Sequence, residues 1–244
     1  MKISTFSYSD IGGRSCNEDS VQFKTAGEAL LAVLADGLGG HGGGDIASGI
    51  AVRTLCEGWH GATTPAVLTE LIQQAHRDIR SQQTPALAMK STVVALALAP
   101  GHIDWAHVGD SRLYQFYNGA LIRQTRDHSA SQIAVMLGQI TPEQIRFHED
   151  RSRLFRALGQ DGGLTVETGS AALEPGDYAF LLCSDGFWEY VEEAEMEHAL
   201  QAAASVQDWV EWMHGLLSRR VPADNDNNTA AAVWLHIPEG RETI

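Results

Sequence analysis

The sequence predicts an α+β fold in which a sandwich of β-sheets is covered by helices. Three observations predict it. Seven apolar or β-branched runs have strand length, three other segments carry helical periodicity, and the strands come in runs instead of alternating one for one with helices. Strict alternation would instead have predicted a doubly wound parallel sheet.

From the N-terminus, ALLAVLA (29–35) is the first such run. Ile46, Ala47, Ile50, Ala51, Thr54 and Leu55 then recur at helical spacing, as do Leu68, Leu71, Ile72, Ala75 and Ile79, so two consecutive helices are predicted. STVVALALA (91–99), HIDWAHV (102–108) and RLYQFY (112–117) follow as strands. Asn118-Gly119 predicts a type I′ turn into ALIRQ, because both residues tolerate positive φ, and the resulting pairing is antiparallel. Residues 127–155 are polar and weakly helical, with a short helix start at Thr141-Pro142-Glu143, and are expected to form an inserted lid. LTVETG (164–169) and YAFLLCS (178–184) are the next strands. Val206, Trp209, Val210, Met213, Leu216 and Leu217 line one face of a third helix, and TAAAVWLHI (229–237) is the last strand. With no repeat, low-complexity tract or linker, residues 1–244 are expected to be one domain.

The 244 residues are 44% hydrophobic and 20% charged, which suits a soluble globular chain and excludes a disordered or fibrous one. Seventeen Lys and Arg against 31 Asp and Glu leave a net charge of −14. Such a surface repels nucleic-acid phosphates and anionic lipid, so neither nucleic acid nor a membrane is an expected partner. Cys16, Cys56 and Cys183 are odd in number and widely spaced, which indicates neither a disulfide framework nor a zinc knuckle and fits a reducing compartment. The longest apolar run, 91–99, is too short to span a bilayer. A cytoplasmic monomer is the expectation.

Gly37-Leu38-Gly39-Gly40-His41-Gly42 satisfies G-x-G-x-x-G between an apolar strand and a helix. Asp36 would face an incoming pyrophosphate, however, and the helix leads into a second helix, so no βαβ unit exists to make this a dinucleotide site. Asp36 also has company. It closes the run 29–35, Asp110 follows 102–108, Asp185 follows 178–184 and Asp226 precedes 229–237, so four carboxylates stand at strand ends. A lone Asp before Gly is an ordinary turn residue. Four that converge would repel one another unless cations neutralised them. All these donors are oxygens, which favours Mg²⁺ or Mn²⁺ over Zn²⁺. Arg14, with Glu18 and Asp19 in RSCNED, adds either a surface ion-pair patch or a guanidinium fork suited to phosphate. Together these parts point to phosphoryl hydrolysis.

In order along the chain, Arg14-Ser15-Cys16-Asn17-Glu18-Asp19, Asp36-Gly37-Leu38-Gly39-Gly40-His41, His107-Val108-Gly109-Asp110-Ser111-Arg112, Ser184-Asp185-Gly186 and Asp226-Asn227-Asn228-Thr229 resemble successive motifs of one family. The family is the metal-dependent protein phosphatases of the 2C type, in their compact bacterial form. Asp127-His128-Ser129, Gly138 to Glu143 and Arg156-Ala157-Leu158-Gly159 are similar to its flap segment. The resemblance covers nearly the whole chain. It implies a four-layer αββα sandwich of two mainly antiparallel sheets flanked by helices, with a flap insertion at about 127–155.

By that resemblance two core Mn²⁺ or Mg²⁺ ions and a weaker third are implied. Asp36 would bridge the core pair, the Gly37 carbonyl and Glu18 would serve one ion, and Asp185 and Asp226 the other. Asp110 with Asp185 would hold the third, Asp19 would act from behind the ligands, and Arg14 would bind the phosphate. The reaction implied is direct attack of a metal-activated water on phosphoserine or phosphothreonine in protein substrates, reversing a cognate Ser/Thr kinase. A catalytically silent regulatory module is the alternative, although intact Arg14, Asp36, Asp185 and Asp226 favour activity. A cysteine-dependent route fails, because Gln22, Ala62 and Glu189 stand where an arginine six residues after each cysteine would be required. His41 and His128 are both candidates for a general acid, and Asp224 is the fallback for Asp226.

Overall fold

The computed structural model of the chain describes residues 2–38 and 42–239. Its strands are β1 (Lys2–Asp10), β2 (Asp19–Ala26), β3 (Ala29–Leu38), β4 (Lys90–Ser91), β5 (Val93–Ala99), β6 (His102–Val108), β7 (Arg112–Tyr117), β8 (Ala120–Gln124), β9 (Glu167–Ala172), β10 (Gly176–Cys183) and β11 (Asn228–Ile237). Its helices are α1 (Gly44–Gly58), α2 (Pro65–Gln82), α3 (Ala130–Met136), α4 (Asp185–Trp188), α5 (Glu193–Ala202) and α6 (Val206–Leu217), with a 3₁₀ turn at Pro142–Phe147. One sheet has the order β1-β11-β10-β7-β8, and the other β2-β3-β5-β6-β9 with β4 beside β3. Every pairing is antiparallel.

Side-chain alternation sorts the core into three seams, because successive residues of a strand face opposite sides. On β3, Leu31, Val33 and Ala35 pack under α1 and α2 with Ile50, Leu55, Leu68 and Ile72. Leu30, Ala32 and Leu34 face the other sheet and meet Phe180, Leu182 and Val233. On β10, Leu181 and Cys183 turn outward to Trp209, Val210 and Met213 of α6. The layers are therefore helix, sheet, sheet, helix. Strands covered on both faces read as unbroken apolar runs, which is how the sequence displayed them.

Six of the seven predicted runs lie where expected. The seventh, 164–169, is displaced to β9 at Glu167–Ala172, because its pairing with β6 sets Ala172 opposite His102 and leaves 164–166 as the approach. The run 91–99 is interrupted at Thr92, whose amide donates to the Asp36 carbonyl at 2.8 Å instead of joining the ladder. The turn at Asn118-Gly119 has φ of 48° and 83° and joins Tyr117 to Ala120 across a two-residue loop, as predicted. Strands β1 and β2 were not predicted. β1 is a largely polar sheet edge whose one partner among the described residues is β11, so it carries no clear apolar alternation.

Candidate active site

The acids gather at one end of the paired sheets. Asp19 on β2 stands opposite Asp36 on β3. The Asp36 amide donates to Thr92 Oγ1 at 3.0 Å, and its carbonyl accepts from the Ser91 hydroxyl at 2.9 Å, so its backbone is fixed on both sides. Gly37 donates its amide to the Glu18 carbonyl at 3.0 Å. A Cβ on Gly37 would lie 2.1 Å from the Gly44 carbonyl oxygen, and one on Gly44 would lie 2.7 Å from the Glu18 carboxylate, so only glycines let the start of α1 close on this site.

The turn before β11 completes the site. Asn227 accepts the Glu18 amide at 2.8 Å and donates its side-chain NH₂ to the carbonyls of Ile11 (2.8 Å) and Cys16 (3.0 Å), stapling the N-terminal loop to that turn. Gly186 packs against the same turn, since its Cβ would sit 2.1 Å from the Asn227 carbonyl oxygen, and this brings Asp185 alongside Asp226. Arg14 places a fork on Asp226, with Nε to Oδ1 at 3.0 Å and Nη2 to Oδ2 at 2.9 Å, while both side chains stay about half exposed. Asp224 acts on Arg14 only through its charge.

The electrostatics record the crowding. Burial, followed by the charges of Asp19, Asp185, Asp110 and Asp226, holds Asp36 well above the usual carboxylate range. Asp185 is raised likewise by burial and then by Asp110, Glu189, Asp226 and Asp19. Burial and Asp127 push Asp110 up to about 7. Burial raises Asp19 to about 6 against the opposing hydrogen bonds of Thr229 and Ser184, and burial also raises Glu18. Asp19 Oδ2 accepts the Ser184 hydroxyl at 2.8 Å, whereas its buried Oδ1 has no partner. Acids that raise one another in this way, with an orphaned carboxylate oxygen among them, fit a hard divalent cation.

The residues singled out from the sequence as Arg14, Glu18, Asp19, Asp36, Gly37, Asp110, Asp185 and Asp226 thus share one end of the sandwich. His41 lies outside the described residues. His128 is not a free acid: its Nδ1 accepts the Gly109 amide at 3.1 Å, its Nε2 lies 3.2 Å from Glu167 Oε2, and burial lowers it to about 4. It stacks on His107 with centroids 4.7 Å apart and planes 5° apart. Parallel rings cannot aim in-plane lone pairs at one ion, and Arg156 Nη1 sits 3.1 Å from His128 Nε2, so the trio His107, His128 and Glu167 is no chelate.

Sequence reasoning missed Glu189 and Arg151. Glu189 stands one helical turn beyond Asp185, and its charge bears on both Asp185 and Asp110. That i, i+4 spacing was a readable signal. Arg151 donates from Nε to Glu189 at 2.5 Å, and nothing in its sequence surroundings marks it.

The family model for protein phosphatase 2C matches residues 8–224. A serine/threonine phosphatase, stp, from Listeria innocua is 33% identical over 206 residues, covering 80% of this chain and 81% of the relative. Among solved structures, the Mycobacterium tuberculosis serine/threonine phosphatase PstP/Ppp aligns with a TM-score of 0.84 at 31% identity, over 96% of this chain and 99% of that one. The catalytic domain of PstP in complex with two manganese ions aligns with a TM-score of 0.80 at 29% identity, over 97% and 99%.

Proposed function

Because the chain belongs to the protein phosphatase 2C family, we propose that it is a metal-dependent phosphatase acting on phosphoserine and phosphothreonine in proteins. The observation that carries this reading is the convergence of Asp110, Asp185 and Asp226 on Asp36, where burial and the neighbouring charges raise Asp36 and Asp185 and the acids offer only oxygen donors. The manganese in the PstP relative supports Mn²⁺ or Mg²⁺ as the cation.

In this reading Asp36, the Gly37 carbonyl and Glu18 hold one ion, Asp36 with Asp185 and Asp226 a second, and Asp110 with Asp185 a weaker third. Such ions supply Lewis acidity toward water and toward phosphoryl oxygens. Arg14 receives the phosphate. Its fork already matches two oxygens of Asp226, and the same geometry suits two oxygens of a phosphoryl group. Asp19, fixed by Ser184, keeps a negative charge behind Asp36. With His128 engaged at both ring nitrogens, the leaving serine or threonine oxygen takes its proton from another donor.

Residues 1–244 form one catalytic domain in this reading, with 127–155 as a flap over the site. Met136, Leu137 and Phe147 are 72%, 68% and 82% exposed, which gives that flap an apolar surface for a protein substrate. The substrates would be the targets of a cognate Ser/Thr kinase, met in the cytoplasm. No helix among the described residues is long and apolar enough to cross a membrane.

The test is phosphate release from a phosphothreonine peptide with Mn²⁺, with Mg²⁺ and with EDTA, alongside Asp36→Asn. Metal-dependent release that is lost in the folded variant is expected, since a bridging carboxylate is gone. Full activity of Asp36→Asn would sink the assignment.

A further inference from the structure

Asp110 stands in the turn between β6 and β7, entered through Gly109 at φ 103°. His128 grips Gly109 twice, its backbone amide donating to the Gly109 carbonyl at 2.9 Å while its Nδ1 accepts the Gly109 amide at 3.1 Å. The Trp188 indole N–H donates to the Asp110 carbonyl at 2.9 Å. Ser111 Oγ lies 2.6 Å from Thr92 Oγ1, the atom that also takes the Asp36 amide. Arg112 closes the turn by pairing through two prongs of 2.8 Å with Asp127, and its guanidinium lies 3.5 Å over the Trp188 ring. His128, Trp188, Ser111, Arg112 and Asp127 are all buried. Trp188 shares the single-turn helix α4 with Asp185.

We infer that His128 and Trp188 are positioning residues for Asp110, holding it in place beside Asp185 through the backbone of Gly109 and Asp110. The inference rests on the reading that Asp110 and Asp185 share the weaker ion. Two carboxylates that repel each other stay close only if their backbones cannot yield. The bracket supplies that stiffness from both sides: His128 from the start of segment 127–155, Trp188 from the helix that carries Asp185. Arg112 and Asp127 keep the indole from swinging away. Partners behind metal ligands that orient them this way carry about 10–100-fold in metal affinity.

The test uses the full chain with His128→Ala, His128→Asn, Trp188→Phe and Asp110→Asn. Mn²⁺ binding is followed by titration calorimetry, and the Gly109 and Asp110 amides by hydrogen exchange. Asparagine can present Oδ1 where His128 Nδ1 accepts, so His128→Asn should behave as wild type. His128→Ala and Trp188→Phe should weaken the weakest class of Mn²⁺ site about tenfold, leave the tighter ions in place, and speed exchange at 109–110 but not in β10. His128→Ala added to Asp110→Asn should cost the weakest class nothing more. Equal losses at every Mn²⁺ class, or exchange at 109–110 unchanged, would overturn the inference. If Asp110→Asn leaves Mn²⁺ binding intact while His128→Ala still loosens 109–110, the bracket stands and the third-ion reading fails.

Discussion

Arg14 and Asp226 hold each other across 212 residues of chain, in a fork that remains open to solvent. An exposed pair of this kind adds little to stability. Its value lies in aiming the guanidinium, so Arg14→Ala should leave the melting temperature nearly unchanged while raising KM for a phosphothreonine peptide about tenfold or more, the worth of a charge-assisted contact. An unchanged KM with reduced kcat would move Arg14 into transition-state stabilisation. Asp19 and Asp110 make a second residue-scale prediction. Both have folded pKa values, about 6 and about 7, above the value of about 3.9 for an unfolded Asp. At these two carboxyls the folded state therefore binds more protons across this window, so the stability they contribute in EDTA should fall as pH rises from about 4 to about 7, against the opposite slope of the lowered His128. A thermal melt series checks this, and Asp110→Asn should flatten its upper part. The acids themselves were legible in the sequence because each sits in a short Gly-, Ser- or Asn-flanked motif. Arg151 was not, since only the packing of 127–155 against Glu189 gives it meaning.

Among the elements, segment 127–155 depends on buried charge for its attachment. Asp127 and Arg112 are 2% and 3% exposed in their side chains and pair through two bonds. Arg146, equally buried, reaches Glu193 at the start of α5 with a 2.6 Å bond. Arg112→Ala would leave Asp127 charged and unpaired, which should cost about 3–5 kcal/mol in urea unfolding. Replacing both partners together, as Arg112→Met with Asp127→Leu, should recover much of that loss. Loss of less than 1 kcal/mol in the single variant would show the pair to be dispensable. The double-faced strands β3, β5 and β10 were plain from apolar runs, and α1, α2 and α6 from their stripes. β1 stayed hidden because its neighbour β11, and not its own polar pattern, makes it a strand. β9 was misplaced by three residues because pairing with β6 fixed its register.

As a whole, the molecule carries a charge of −14 and is proposed to act on phosphorylated partners that are themselves anionic. Screening should therefore help: kcat/KM for an acidic phosphoprotein should rise with ionic strength up to about 0.15 M, where the screening length falls to about 8 Å. A steady decline with salt would indicate a basic docking face that outweighs the net charge. The same architecture draws its acids from distant stretches of chain, 18–37, 110, 185 and 226, and Asn227 fastens the last stretch to the first. β11 lies between β1 and β10 and is synthesised after the other strands of both sheets. A polypeptide released before position 226 possesses Asp36 and Asp185 but has neither the partner of Arg14 nor the staple for residues 11–18. In the proposed reading a prematurely terminated product would therefore release no phosphate, and a molecule that turned over substrate would already have passed its own folding inspection.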